Sequence, residues 1–195
     1  MAERMLLRQL PRARLRPPCC AFQSPDGGGG FVKLAYADPV YLGMSRRYPE
    51  HPNSKIWDDL ATHAALLAKL DVEYDGWAYS CSSVSLRKIL AVAPECRISP
   101  WSKSFCAFKR NVRIAYAHEY VLWKPGRDSS KDGAPVGRDF LVAPITMRKG
   151  LTGAKPEEFC RWVLDLMGYV EGDEVDDLFP GTGVMQRVLD QGVIA

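Results

Sequence analysis

The chain has 195 residues, of which 47% are hydrophobic and 25% charged, with 26 basic against 23 acidic side chains. A chain of this length buries roughly 70% of its unfolded surface, enough for one domain, and a net charge of +3 does not by itself announce a polyanion partner. No apolar run approaches the ~18 residues of a membrane helix, so no membrane span is expected. The six cysteines (Cys19, Cys20, Cys81, Cys96, Cys106 and Cys160) include no C-x-x-C pair, so no metal site is expected and a reducing, cytoplasmic compartment fits best.

The first thirty residues carry Arg4, Arg8, Arg12, Arg14 and Arg16 and end in Pro25-Asp26 and four glycines. An Arg-rich, acid-poor start resembles a transit peptide, but Pro11, Pro17 and Pro18 interrupt any amphipathic helix. The expectation is a disordered basic arm over 1–30 and one folded domain over 31–195. Phe31 to Ala37 is a short apolar run ending at Asp38-Pro39, which predicts a buried strand. Residues 42–54, rich in Gly, Pro, Arg and Ser, predict a loop. Leu60, His63, Ala64, Leu67 and Leu70 have helical spacing, predicting a helix over 57–70 capped by Asn53 or Ser54.

Strands follow at 76–81, 96–101 and 118–123, with a helix at 83–93 stopped by Pro94. Residues 126–137 are polar and predicted flexible. Phe159, Trp162, Val163, Leu166 and Met167 mark a helix over 156–167. A last strand over 174–179 turns at Gly181 into a helix reaching Leu189. Alternating strands and helices predict an open α/β sheet, whose ligands bind beyond the carboxyl ends of the strands.

Two strand ends carry unusual chemistry. In Asp38-Pro39-Val40-Tyr41 a carboxylate leaves the strand beside a residue that cannot donate, and an aromatic follows. Such a group can accept both hydrogens of an –NH2 and stack on its ring; a plain strand-to-turn exit has the same pattern. In Asp177-Leu178-Phe179-Pro180-Gly181-Thr182-Gly183 the glycines permit close backbone approach, and the following helix offers free N–H groups. The bland alternative is a tight strand–helix turn. The third glycine of a dinucleotide fingerprint is absent.

Together, in this order, the two motifs resemble those of the circularly permuted amino-methylating DNA methyltransferases. Asp177 to Gly183 is similar to that family's D-x-F-x-G-x-G cofactor motif, and Asp38-Pro39-Val40-Tyr41 to its D-P-P-Y catalytic motif. Lys155-Pro156-Glu157-Glu158 resembles its segment packed against the cofactor. Trp101-Ser102-Lys103, Phe105 to Lys109 and Tyr116 to Glu119 resemble a small actinobacterial and phage subset. The likeness spans roughly residues 32–186. It implies a class I, Rossmann-like sheet and S-adenosylmethionine (SAM) as cofactor. The reaction implied is methylation of an exocyclic base amine, most simply adenine N6 in DNA, in a bacterial or phage-infected cell.

The implied catalytic residues are Asp38 and Pro39, holding the amine, and Tyr41, stacking on a base flipped from the duplex. Lys155, Asp177, Phe179, Gly181, Thr182 and Gly183 would line the cofactor pocket. Arg46, Arg47, Lys103, Lys109 and Arg110 are the candidate nucleic-acid contacts, since basic side chains interleaved with Trp101, Phe105 and Phe108 suit such a face. A solvated surface with a few core aromatics is the competing reading.

Three departures bear on function. Val40 stands where the usual motif has a second Pro. Val193-Ile194-Ala195 is expected only to begin the next strand, which in the family carries an acid that holds the cofactor ribose. The insert between Trp123 and Lys155 is short for a target-recognition region, leaving specificity low or supplied by a second copy in a homodimer. They keep two alternatives open: a weakly active or inactive methyltransferase-like module that binds nucleic acid or protein, and an amine methyltransferase acting on RNA or a small molecule. His118-Glu119 suggests a metal or an acid–base pair, but with three histidines in the chain and His51 in a loop no metal centre is expected, and His118 reads as a sheet-edge or substrate-side residue. Ser80, Ser82 and Ser83 lack a nucleophile elbow. Trp57, Trp77 and Trp162 read as core.

Overall fold

The computed structural model describes residues 30–49, 51, 53–104, 113–127, 137–146 and 154–192. The expected basic arm, Lys109, Arg110 and most of the polar stretch after Gly126 lie outside the described residues. Six strands form one sheet: β1 (Lys33–Ala37), β2 (Gly76–Ser82), β3 (Arg97–Lys103), β4 (His118–Lys124), β5 (Leu141–Ala143) and β6 (Glu174–Asp177). Their order is β5-β3-β4-β2-β1-β6. Every pairing is parallel except the two made by β4. The carboxyl ends of β1, β2, β3 and β6 therefore share one rim with the beginning of β4.

Side chains of a strand alternate between faces, and here both faces are covered. Leu34 and Tyr36 of β1 join Trp101, Trp123 and the helices α3 (Glu157–Met167) and α4 (Val184–Asp190). Ala35 and Ala37 point the other way, into Trp77, Tyr79 and Leu122 beneath α1 (Leu60–Glu73) and α2 (Leu86–Leu90). Burial on both faces explains why β1 and β2 read as continuous apolar runs. The apolar stripe expected on α3 is buried, including Phe159, Trp162, Val163 and Met167. Full burial of one such large side chain contributes roughly 1.5–3 kcal/mol. The helix stops where Gly168 turns left-handed (φ 74°) and Tyr169 N–H reaches back to the Leu164 carbonyl.

The α/β expectation is met, and three local readings are corrected. The helix after the loop starts at Leu60, because Asp59 caps it by accepting from Ala61 N–H; neither Asn53 nor Ser54 makes a side-chain cap. The second helix is only Leu86–Leu90, since Ser82 and Ser85 spend their hydroxyls on the turn before it. The expected loop holds a short 3-10 turn, Ser45–Arg47, and a second, Ser54–Asp58, runs from its last residue into the stretch expected as helix; Ser45 clasps the two by donating through N–H (3.2 Å) and Oγ (2.5 Å) to Asp58. Strand β5 was not legible, since three residues are too few for alternation to register. Among the described residues no helix is long and apolar enough to cross a membrane.

Two contacts set the far end of the sheet. A Cβ on Gly76 would sit 2.3 Å from the Gly126 nitrogen, so only glycine admits this backbone crossing. Asp173 is the second. Its carboxylate takes both Arg127 nitrogens (2.7 and 2.9 Å) and the N–H groups of Val32 and Val170 (3.1 and 2.8 Å). Burial raises its pKa, but these donors outweigh that and hold it below the ordinary value. Asp173→Ala removes the carboxylate from a half-buried guanidinium and from two N–H groups, and should lower the unfolding free energy by about 3 kcal/mol in urea titrations near neutral pH. The difference from wild type should narrow as pH falls through the carboxylate range, where the native Asp173 also loses its charge.

Candidate functional site

Adjacency of β1 and β6 builds the site. Tyr36 pairs with Asp177 across these parallel strands, and Leu178 N–H continues the ladder to the Tyr36 carbonyl (3.0 Å). Asp38 and Asp177, 139 positions apart in the sequence, thus leave neighbouring strands at the same rim. Pro39 is buried beside Asp38, and Tyr41 lies three residues beyond it, half-buried.

The rim is organised around one buried cation. The Lys155 side chain is only 8% exposed. Its Nζ lies 3.2 Å from Asp38 Oδ1 and donates to Glu119 Oε2 (2.8 Å) and Tyr41 Oη (2.7 Å). Tyr41 Oη in turn donates to Glu119 Oε2 (2.7 Å). The ammonium also sits over the rings of Tyr41, Phe159 and Trp101 at 5.2, 5.5 and 5.7 Å, and such faces attract cations when water is excluded. Glu119 holds a second cation, Lys103, itself over the Trp101 ring at 5.1 Å. The charges alternate from Lys103 through Glu119 and Lys155 to Asp38.

This alternation decides the protonation states. Burial raises the pKa of Asp38, Glu119 adds to the rise, and Lys155 opposes it. Burial also works against charge on Glu119, but Lys155 and Lys103 prevail and hold it down to about 2. Burial lowers Lys155, yet Asp38 and Glu119 outweigh it and keep the ammonium charged. Asp177 is raised by burial and by Asp38, against the opposing hydrogen bond from Phe179 N–H (3.2 Å).

Beyond Asp177 the chain turns through Gly181 (φ 45°) and Gly183 (φ 66°), conformations in which a side chain is strained. Gly183 caps α4, and its N–H bonds back to the Pro180 carbonyl at 2.6 Å. The Thr182 carbonyl accepts from Arg187 (2.8 Å). A small cleft runs from this turn to Lys155, lined by Thr146, Lys155, Glu157, Thr182 and Arg187. Phe179 meets the Trp57 ring edge-on at 5.2 Å.

The residues singled out from sequence thus separate. Asp38, Pro39, Tyr41 and Lys155 converge, with Asp177, Phe179, Gly181, Thr182 and Gly183 on the adjoining turn. Lys103 lies in the same cluster as a partner of Glu119, with its side chain 14% exposed. Arg46 and Arg47 are exposed on the 3-10 turn after Tyr41. His118 is an exposed residue bonded to Ser102 Oγ (3.1 Å), on a strand interior to the sheet rather than at its edge. Trp77 and Trp162 are core; Trp57, read as core, is only half-buried. Glu119 and Arg187 went unread as site residues. Alternation places Glu119 on a strand, but only the antiparallel direction of β4 brings its first residues to the rim.

No protein-family model and no curated protein sequence matches the chain significantly. Among solved structures, M1.HpyAVI in its complex with SAM superposes with a TM-score of 0.54 over 83% of this chain and 78% of that one, at 16% identity. The likeness is one of fold.

Lys155→Met tests the charge arrangement. It leaves Asp38 buried beside Glu119 without its cation, and should lower stability near pH 7 by about 3–5 kcal/mol in denaturant titrations. In the native protein the depressed Glu119 contributes stability above its unfolded pKa of ~4.3, which is lost as pH falls from there toward about 2. Asp38, with its raised pKa, has the opposite sign and opposes folding once ionised. The Lys155→Met deficit should therefore shrink as the solution is taken below about pH 4.

Proposed function

We propose that this chain is a SAM-dependent methyltransferase of the circularly permuted type, acting on an exocyclic amine of a DNA base, adenine N6 above all. The observation that carries the reading is the placing of the two motif ends, Asp38 and Asp177, on adjacent parallel strands at one rim. A fold shared with a SAM-bound protein supports it.

The residues present suit SAM chemically. Its carboxylate would find the Thr182 hydroxyl, Arg187 and Lys155 along the cleft, and its amine the Asp177 carboxylate. The glycine turn leaves open the space a side chain would fill: a Cβ at Gly181 would meet nothing nearer than the Phe179 carbonyl at 3.7 Å. Bound SAM supplies an electrophilic methyl on a positive sulfur, so no strong general base is required of the protein.

What remains for the chain is alignment and proton handling. Asp38 and the Pro39 carbonyl accept the two amine hydrogens, directing the nitrogen lone pair at the methyl carbon. The ring of Tyr41 offers a stacking face, and its hydroxyl is held by Glu119 and Lys155. Lys155 must leave Asp38 when an amine arrives; Glu119, already its partner at 2.8 Å, retains it. The proton lost after transfer passes to Asp38, whose raised pKa suits it to receive one. Arg46 and Arg47, exposed beyond Tyr41, are placed to contact phosphate.

Occupation of Asp38 by Lys155 equally favours a second reading, a module that binds nucleic acid without catalysis. Two measurements separate them: calorimetric titration with SAM, and transfer of labelled methyl to DNA, RNA and free nucleosides. We expect saturable SAM binding, weakened roughly tenfold or more in Asp177→Ala. Asp38→Ala should keep cofactor affinity and lose at least about 100-fold in transfer to DNA. DNA binding without methylation by the wild type would establish the module instead, and transfer to RNA or nucleosides alone would move the substrate off DNA.

A further inference from the structure

The loop between Tyr41 and α1 is tied to the cofactor turn by a ladder of four aromatic rings. Tyr79 of β2, buried, meets the His63 ring edge-on at 6.3 Å. His63 of α1 lies against the Trp57 indole at 5.3 Å, and Trp57 meets Phe179 at 5.2 Å. The third rung is the fragile one. Trp57 sits on the short 3-10 turn Ser54–Asp58, half-exposed, and four neighbouring side chains of that turn and its cap (Lys55, Ile56, Asp58 and Asp59) are exposed. The turn that carries it is clasped by Ser45 at Asp58, and the indole itself meets His63 and Phe179.

His63 is fully buried, and both ring nitrogens are engaged. Nε2 lies 2.7 Å from the Trp57 carbonyl, which can only accept, so Nε2 carries the hydrogen. Nδ1, at 2.5 Å from Tyr79 Oη, is then the acceptor for the phenol. The imidazole therefore holds Trp57 twice, through its backbone and through a tilted ring contact, and is itself anchored on a core strand.

Resting on the reading of Phe179 as part of the SAM pocket, we propose that His63 is a positioning residue for the cofactor. It holds Trp57 so that the indole backs Phe179 in the orientation that bound SAM requires. The ladder contains none of the charged side chains of the Asp38 cluster: it reaches Phe179 through the Trp57 ring contact, and Trp57 is held by His63. An aromatic contact of this kind contributes about 0.5–1.5 kcal/mol, which as affinity is roughly a two- to twelvefold change.

The experiment uses the full chain and SAM itself, measuring its Kd by calorimetry, with binding of a DNA duplex measured in parallel. His63→Leu removes both hydrogen bonds. His63→Gln restores an amide donor and a carbonyl acceptor. Trp57→Leu removes the rung from a half-exposed position that tolerates truncation. Expected are a two- to twelvefold rise in SAM Kd for His63→Leu and for Trp57→Leu, no further rise in the double variant, a smaller rise in His63→Gln, which keeps the hydrogen bonds without the ring contact, and unchanged DNA binding. SAM affinity unchanged in His63→Leu overturns the proposal, as does equal weakening toward SAM and DNA. Should His63→Leu fail to fold, Trp57→Leu decides: retained SAM affinity overturns the proposal and a selective loss supports it. A wild type that binds no SAM overturns the underlying reading as well, a result distinct from an active wild type with insensitive variants.

Discussion

The pairing of β1 with β6 is the constraint on which the site depends. One strand follows the start of the described chain and the other lies close to its end, so their union closes a very long loop. That closure grows only slowly in entropic cost with length, and the ladder that offsets it is extended at both ends. Glu174 N–H reaches the Val32 carbonyl before the paired residues, and Leu178 N–H reaches Tyr36 after them. The Asp173 carboxylate then ties Val32 N–H to Arg127 from the β4 side. Were β6 displaced by one residue, Asp177 would turn to the opposite face and the rim would lose one of its acids.

Given that frame, the rim solves an electrostatic problem by alternation. Four ionisable side chains crowd a region from which Trp101, Phe159 and Tyr36 exclude water. Unpaired burial of any one would cost several kcal/mol. Lys103, Glu119, Lys155 and Asp38 follow one another with opposite signs, and the Tyr41 hydroxyl accepts from Lys155 and donates to Glu119. Among the described residues no buried side-chain nitrogen or oxygen is left without a partner. Asp38 is the least compensated member, since its pKa stays raised despite Lys155. A carboxylate held in that condition gains from any further donor, and an amine is such a donor. The feature that opposes folding at Asp38 is the one that suits it to a ligand.

The opposite side of the site rests on apolar contacts instead. Phe179 meets Trp57, which is carried by the same segment as the exposed Arg46 and Arg47. Loop, glycine turn and α1 are thus joined through the rings of Phe179, Trp57 and His63.

Much of this was legible in the sequence because its causes are local. Apolar runs bounded by Pro, Gly and Asp located five of the six strands, helical spacing located α1 and α3, and the glycines at 181 and 183 marked a turn that needs left-handed backbone. The two motif ends, and their resemblance to a methyltransferase pair, were likewise local strings. Glu119 was not legible, because its presence at the rim follows from the direction of β4, which is set by partners on β2 and β3. Nor was the position of Lys155, read as a cofactor contact but seated on Asp38, Tyr41 and Glu119. Charge pairing between residues 36 and 117 positions apart is a property of distances in space, and only the tertiary structure sets those.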